Sequence, residues 1–211
     1  MTQRAVDTIL DHAAAGAILR QRFFSEDQAE HIAHIALRMA VTLAKGNKLL
    51  VCGNGGSAAD SQHLAAEFVN RFIMDRPPLP AIALSTDTSI LTAIGNDFGF
   101  DQVFAKQVRA LGNPGDMLIA ISTSGNSENI LLALEAARER SVVTLGLTGN
   151  TGGEMAGKCD LIINVPDKRT PLIQEIHITV GHLLCGLTDY FLFENVAALT
   201  PHLEQAASAP E

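Results

Sequence analysis

The sequence predicts an α/β protein: a doubly wound, five-stranded parallel sheet flanked by helices, with an N-terminal helical arm in front of it. Three observations lead there. Five short, unbroken apolar runs recur along the chain, segments of helical length separate them, and loops rich in glycine and hydroxyls follow the first and third runs. Strands buried on both faces read as continuous apolar runs, and strand–helix alternation builds an open parallel sheet with helices on both sides.

Residues 1–46 read as two helices. Ala5, Ile9, Ala13, Ile18 and Leu19 recur at roughly helical spacing. Ser25-Glu26-Asp27-Gln28 has the form of a capping box, a Ser N-cap with Gln three residues on. Ile32, Ile35, Ala36, Met39, Ala40 and Leu43 then follow a 3.6-residue period that Gly46 can end. The apolar runs are 49–52, 81–84, 117–121, 142–147 and 161–165. Helices are expected over 58–72, about 88–110, 127–140 and 172–193, with a short piece near 153–157. Arg76-Pro77-Pro78-Leu79-Pro80 is a rigid connector into the second strand, and the tail from Pro201 onward is expected to fray. This divides the chain into an arm (1–46), one sheet domain (47–195) and a tail (196–211), with no internal repeat.

Composition excludes several classes. Lys plus Arg is 15 and Asp plus Glu is 23, a formal charge of −8, which weighs against nucleic acid and anionic membrane as partners. Taken alone, that charge also weighs against a phosphorylated ligand. No stretch approaches the ~20 uninterrupted apolar residues of a spanning helix. Asp7, Asp11 and His12 stand where a signal peptide needs an apolar centre. Cys52, Cys159 and Cys185 form no CxxC pair and sit in apolar runs, as buried reduced thiols do. A cytoplasmic location is the expectation.

In open parallel sheets, ligands bind beyond the carboxyl ends of the strands. The loops there are Gly53-Asn54-Gly55-Gly56-Ser57-Ala58 and Ser122-Thr123-Ser124-Gly125-Asn126-Ser127, each opening a helix. Glycines allow close backbone approach, helix amino termini offer unpaired N–H groups, and hydroxyls add neutral donors, a combination suited to a phosphate. The alternative is a pair of ordinary turns with Ser caps. Gly53-x-Gly55-x-x-Ala58 also matches the loose dinucleotide fingerprint, but the acid expected at the end of the second strand is missing and Asp87 comes about ten residues late. No GxxxxGK[ST] motif occurs.

His63 and Glu67 lie four residues apart on the helix after the first loop, hence on one face. The last helix carries Gln174, Glu175, His177 and His182. Imidazole, carboxylate and amide oxygen donors suit a divalent ion such as zinc. Gln174 and His182 are about 12 Å apart along a helix and about 80° apart around it. Either the helix begins after Gln174, or one ligand comes from a neighbouring subunit.

The blocks CGNGGSAADSQHLAAEF, AIGNDFGFD, AISTSGNS, LTGNTGGEMAG and IQEIHITVGH resemble those of the phosphoheptose isomerases, which have the flavodoxin-like sugar-isomerase (SIS) fold. The resemblance runs from about Gly46 to Phe193, with a matching helical arm. It implies conversion of sedoheptulose 7-phosphate to D-glycero-D-manno-heptose 7-phosphate, the first step toward the nucleotide-activated heptose of lipopolysaccharide core or surface glycans. It implies a cytoplasmic homotetramer that uses the arm for assembly and has active sites at subunit interfaces. It places one Zn2+ per subunit on His63, Glu67, Gln174 and His182. Substrate contacts fall on Asn54, Gly55, Gly56, Glu67, Asn96, Asp97, Ser122, Thr123, Ser124, Ser127 and Gln174, and Ser57 joins them from the loop chemistry. Asp97 reads equally as a substrate contact and as a cap of the following helix. Ketose–aldose interconversion passes through an enediol, for which Glu67 is the expected base at carbon and His182 the group moving the hydroxyl proton. The rival is a non-enzymatic SIS-fold protein that binds the replication initiator, from which the carboxylate at Glu67 distinguishes this chain. Neither loop contains Lys or Arg, so the charge of −8 does not bear on a phosphate held there.

Overall fold

The structure, a computed structural model, describes residues 2–207. Met1 and residues 208–211 of the expected tail lie outside the described residues. Two helices open the chain, α1 (Gln3–Phe23) and α2 (Glu26–Ala44). Ser25 caps α2, its Oγ accepting from the Gln28 N–H at 3.3 Å. The reciprocal half of the capping box does not form: the Ser25 N–H donates instead to the Phe23 carbonyl at 3.0 Å, and the Gln28 side-chain nitrogen is buried without a partner among the described residues.

The sheet domain follows as β1 (Leu49–Gly53), α3 (Gly56–Val69), β2 (Ala81–Ala83), α4 (Thr88–Phe98), α5 (Ala105–Leu111), β3 (Met117–Ser122), α6 (Glu128–Glu139), β4 (Val143–Gly149), β5 (Leu161–Val165) and α7 (Thr170–Asp189). Every pairing is parallel, in the order β2-β1-β3-β4-β5. Alternate strand residues feed two cores. Leu49 and Val51 pack with α2, α3 and α7 on one face, and Leu50 and Cys52 with α5 and α6 on the other. Burial on both faces is why the strands show no polar alternation. The strand order reverses between β1 and β3, and the loops after these two strands flank that switch point.

Two stretches depart from the sequence expectations. The 88–110 segment is not one helix. Gly99, at φ 97°, ends α4 in a conformation that a side chain disfavours, and a short 3₁₀ turn (Phe100–Gln102) precedes α5. The last helix, expected over 172–193, begins at Thr170, because Pro171 fits the first turn, where its missing N–H costs nothing, and this excludes a start after Gln174. The tail does not fray at Pro201 among the described residues. A helix, α8 (Thr200–Ala207), carries Pro201 in its first turn, and Leu199 before it is buried. The stretch Thr170–Glu194 is long and apolar enough to cross a membrane by length and composition. Its helix α7 buries Ile173, Ile176, Val180 and Leu184 in the core, which accounts for that composition.

Candidate active site

The two loops at the switch point enclose a cavity of about 230 Å³, lined by Asn54, Gly56, Ser57, Ser122, Thr123, Ser127, Thr170 and Gln174, with no charged side chain among its lining residues. Three helix amino termini reach it: Gly56 and Ser57 open α3, Ser127 precedes α6 and Thr170 opens α7. Their dipoles favour an anion, although the Ser57 N–H is already engaged by the Asn54 carbonyl at 3.0 Å. The loops are not ordinary Ser-capped turns. Ser127 makes no side-chain cap; its Oγ lies 3.1 Å from Ser122 Oγ, and Ser124 Oγ lies 3.4 Å from Ser122 Oγ. Asn54 and Asn129 exchange two amide hydrogen bonds, of 2.8 and 2.9 Å, and so tie the first loop to α6. A Cβ on Gly125 would sit 2.0 Å from the Gly152 carbonyl oxygen, so the second loop packs against the turn after β4 only with glycine there.

Helices α3 and α7 run side by side in register. Gln174 lies against Gly56, where a Cβ would meet its Nε2 at 2.5 Å, and Gly181 lies against Leu64, where a Cβ would meet Cδ2 at 2.6 Å. The close approach brings His63 and His182 together, Nε2 to Nε2 at 2.9 Å. Glu67 Oε1 is 3.3 Å from His63 Nε2. One donor atom from each of His63, Glu67 and His182 lies within 4.8 Å of the others. Two imidazoles and a carboxylate converging from two helices are a fitting donor set for a divalent ion. The ring of Phe72 stacks on His182 with centroids 5.2 Å apart, fixing its plane.

Arg76 locks the far end of the helix pair. Its side chain is 2% exposed and pairs with Asp189, at the end of α7, at 2.9 Å. It also donates to the carbonyls of Glu67 (2.9 Å), Phe68 (2.7 Å) and Asn70 (3.2 Å) at the end of α3. These satisfy carbonyls that the end of a helix leaves unpaired. Burial holds the Asp189 carboxyl above its ordinary range, while Arg76 pulls it down. Between the two ends, His177 is buried, with Nε2 3.0 Å from the Thr148 carbonyl oxygen. Burial pushes its pKa down to about 4, so the ring is neutral at pH 7.

Thus Asn54, Gly56, Ser57, Ser122, Thr123, Ser127 and Gln174 come together around one cavity. His63, Glu67 and His182 come together further along the helices. Gly55 and Ser124 stand on the same loops, both exposed. Gln174 lies with the cavity and not with the His–Glu cluster of its own chain, because α7 is continuous and eight residues span about 12 Å. Asn96 and Asp97 lie exposed in the last turn of α4, joined to each other at 2.8 Å. Asp97 caps no helix; Gly99 precedes the 3₁₀ turn and Phe104 precedes α5, neither with a side-chain cap. Asn129, Thr170, Phe72 and Arg76 were not singled out from the sequence. Asn129 left one trace there, an amide at an otherwise apolar position three residues into a helix.

The SIS domain family matches residues 12–149 of the chain. The chain is 66% identical, over 100% of both sequences, to the phosphoheptose isomerase of Nitratidesulfovibrio vulgaris (strain DSM 19637 / Miyazaki F). It is similar to the structure of phosphoheptose isomerase from Neisseria gonorrhoeae, with 46% identity and a TM-score of 0.83 over 88% of this chain and 98% of that one. It is also similar to a phosphoheptose isomerase structure from Francisella tularensis, with 41% identity and a TM-score of 0.85 over 90% and 99%. A sheet with its switch point between two hydroxyl-lined loops, and sequence agreement along the whole chain, place this protein among the phosphoheptose isomerases of the SIS-domain family: it is a sugar-phosphate isomerase.

Proposed function

We propose that the enzyme interconverts sedoheptulose 7-phosphate and D-glycero-D-manno-heptose 7-phosphate through an enediol, at the entry to nucleotide-activated heptose synthesis for lipopolysaccharide core or surface glycans, in the cytoplasm. The observation that carries this is the spacing along α3. Ser57 lies in the anion cavity and His63 in the His–Glu cluster, six residues or about 9 Å apart. An open sugar chain anchored by a terminal phosphate in the cavity lays its opposite end on the cluster. Binding energy remote from the reacting carbons then positions them.

In this reading, Glu67 removes a proton from C1 of the ketose, the C1–C2 enediol forms, and Glu67 returns the proton to C2. His182 transfers the hydroxyl proton between O1 and O2. Ser57, Ser122, Thr123, Ser124 and Ser127, with the amides of Asn54-Gly55-Gly56, hold the phosphate. Asn96 and Asp97 complete the substrate contacts only if the end of α4 moves or a second subunit brings them in. One zinc ion per subunit would be held by His63, Glu67 and His182, and supplies polarisation of the carbonyl and the developing oxyanion. Gln174 would complete that donor set only from a neighbouring subunit of a homotetramer, because within one chain it lies with the cavity. The arm supports such assembly: Ile9, Leu10 and Ile18 are 67%, 61% and 67% exposed along α1.

The decisive experiment follows loss of sedoheptulose 7-phosphate for the wild type and Glu67→Gln. The variant should fold, bind the sugar phosphate and lose about a thousandfold or more in kcat. Wild-type turnover by Glu67→Gln would remove Glu67 from the chemistry, and inactivity of the wild type would remove the substrate assignment. Metal content after purification without added zinc should approach one ion per chain, and fall in His63→Ala.

A further inference from the structure

The opposite edge of the sheet is concave as well. A cavity of about 320 Å³ lies over the amino ends of β4 and β5, lined by Arg38, Arg138, Lys158 and Asp160 together with Val143 and Thr144. Arg38 comes from α2 on one face of the sheet and Arg138 from the last turn of α6 on the other. Neither guanidinium has a carboxylate or carbonyl partner among the described residues, whereas Arg109 and Arg169 pair with Glu139 and Asp167. The acids nearby are already engaged. Asp160 Oδ2 accepts from the Thr144 N–H and hydroxyl, both at 2.8 Å, and Glu135 pairs with Lys158 at 2.8 Å.

Two guanidiniums that line one hollow from helices on opposite faces, with no acid paired to either among the described residues, offer an anion two forked donors. In a chain carrying 23 acids to 15 bases, this is a local reversal of sign. A second cavity, of about 340 Å³, shares Arg38 and Val143 with the first and adds Lys45, Asn47 and His202. Arg38 therefore stands at the junction of a two-lobed basic hollow. The carboxyl-edge cavity, at the other end of β4, contains no cation among its lining residues and relies on neutral donors.

We infer that this amino-edge hollow is a second ligand site, for a nucleoside diphosphate. Arg38 and Arg138 grip the two phosphoryl groups with their planar forks, Lys158 and Lys45 flank them, and the nucleoside lies in the lobe of Asn47 and His202. Its volume exceeds what a bare phosphate fills. The site is separated from the carboxyl-edge cavity by the length of β4, seven residues or about 20 Å, so a ligand bound there does not occupy the isomerase centre.

The test is calorimetric titration of the full chain with pyrophosphate and with ADP. Wild-type protein should bind each once per chain, ADP more tightly, with affinity falling as salt is raised. The double variant Arg38→Gln/Arg138→Gln should lose about tenfold or more in affinity for both probes, while keeping its fold and its ligand-free isomerase rate. Ser122→Ala/Ser127→Ala should leave both titrations unchanged. Absence of saturable binding by the wild type, equal binding by the arginine variant, or loss confined to the serine variant would overturn the proposal. Equal affinities for ADP and pyrophosphate would overturn its nucleoside part.

Discussion

The two ends of the α3–α7 helix pair differ in how they handle charge. At the amino end, the cavity is lined by hydroxyls, amides and three helix termini, with no charged side chain. Further along, His63, Glu67 and His182 are titratable groups crowded within 4.8 Å of one another. The first arrangement suits an anion that must be held and not transformed, because helix termini and neutral donors bind phosphate without moving protons. The second suits proton transfer, which requires groups that change their charge. The contrast also explains why a net charge of −8 is silent about a phosphate site. Backbone N–H groups and hydroxyls do not enter a formal charge count.

The comparison predicts that the ends fail differently. The largest effect is expected from Arg76→Ala, which frees the carbonyls at the end of α3 and leaves Asp189 buried and unpaired. Urea unfolding should show a loss of about 3–5 kcal/mol, with metal affinity reduced and the loop cavity less affected. If the variant unfolds in buffer, Arg76→Lys keeps the charge while losing the forked contacts, and should retain part of the stability.

Next comes His177, midway along α7. Its folded pKa of about 4 lies below the ordinary 6.5. Between those values the unfolded chain binds the extra proton, so the stability is complete above pH 6.5 and is lost as pH falls toward 4. The full shift corresponds to an order of 3 kcal/mol. Melting curves from pH 7 to 4.5 should show the advantage of wild type over His177→Asn shrinking as pH falls; a constant difference would count against a buried neutral ring. The smallest effect is expected from Ser122→Ala with Ser127→Ala. KM should rise about tenfold with kcat within about twofold, because the hydroxyls bind ground and transition states alike. A fall in kcat alone would place these serines in the chemistry.

The five strands were legible because each carries an unbroken apolar run, fully buried in β1 and β3 and kept even in the edge strand β2, where Ile82 is exposed. The loops were legible because glycines and hydroxyls cluster at consecutive positions directly after an apolar run. Arg76 stands in a rigid proline-rich connector, and nothing local announces that its guanidinium turns back onto α3. The 88–110 stretch has helical composition throughout, yet Gly99 at φ 97° breaks it, and Gln107 turns inward to donate to the Leu84 carbonyl at 2.9 Å. The capping box was half right, since Ser25 caps while its own N–H finds Phe23.

By itself, the sequence determined the fold class, the apolar runs that become strands, the two glycine- and hydroxyl-rich loops and the pairing of His63 with Glu67, all of which rest on local spacing. The tertiary structure alone decided that α3 and α7 run in register, that His182 joins His63 and Glu67, and that Gln174 stays with the cavity. It alone placed Arg38 and Arg138 around one hollow. These depend on which helix packs on which face and how closely. Contacts such as Leu64 against Gly181 set that closeness, and they join residues more than a hundred positions apart.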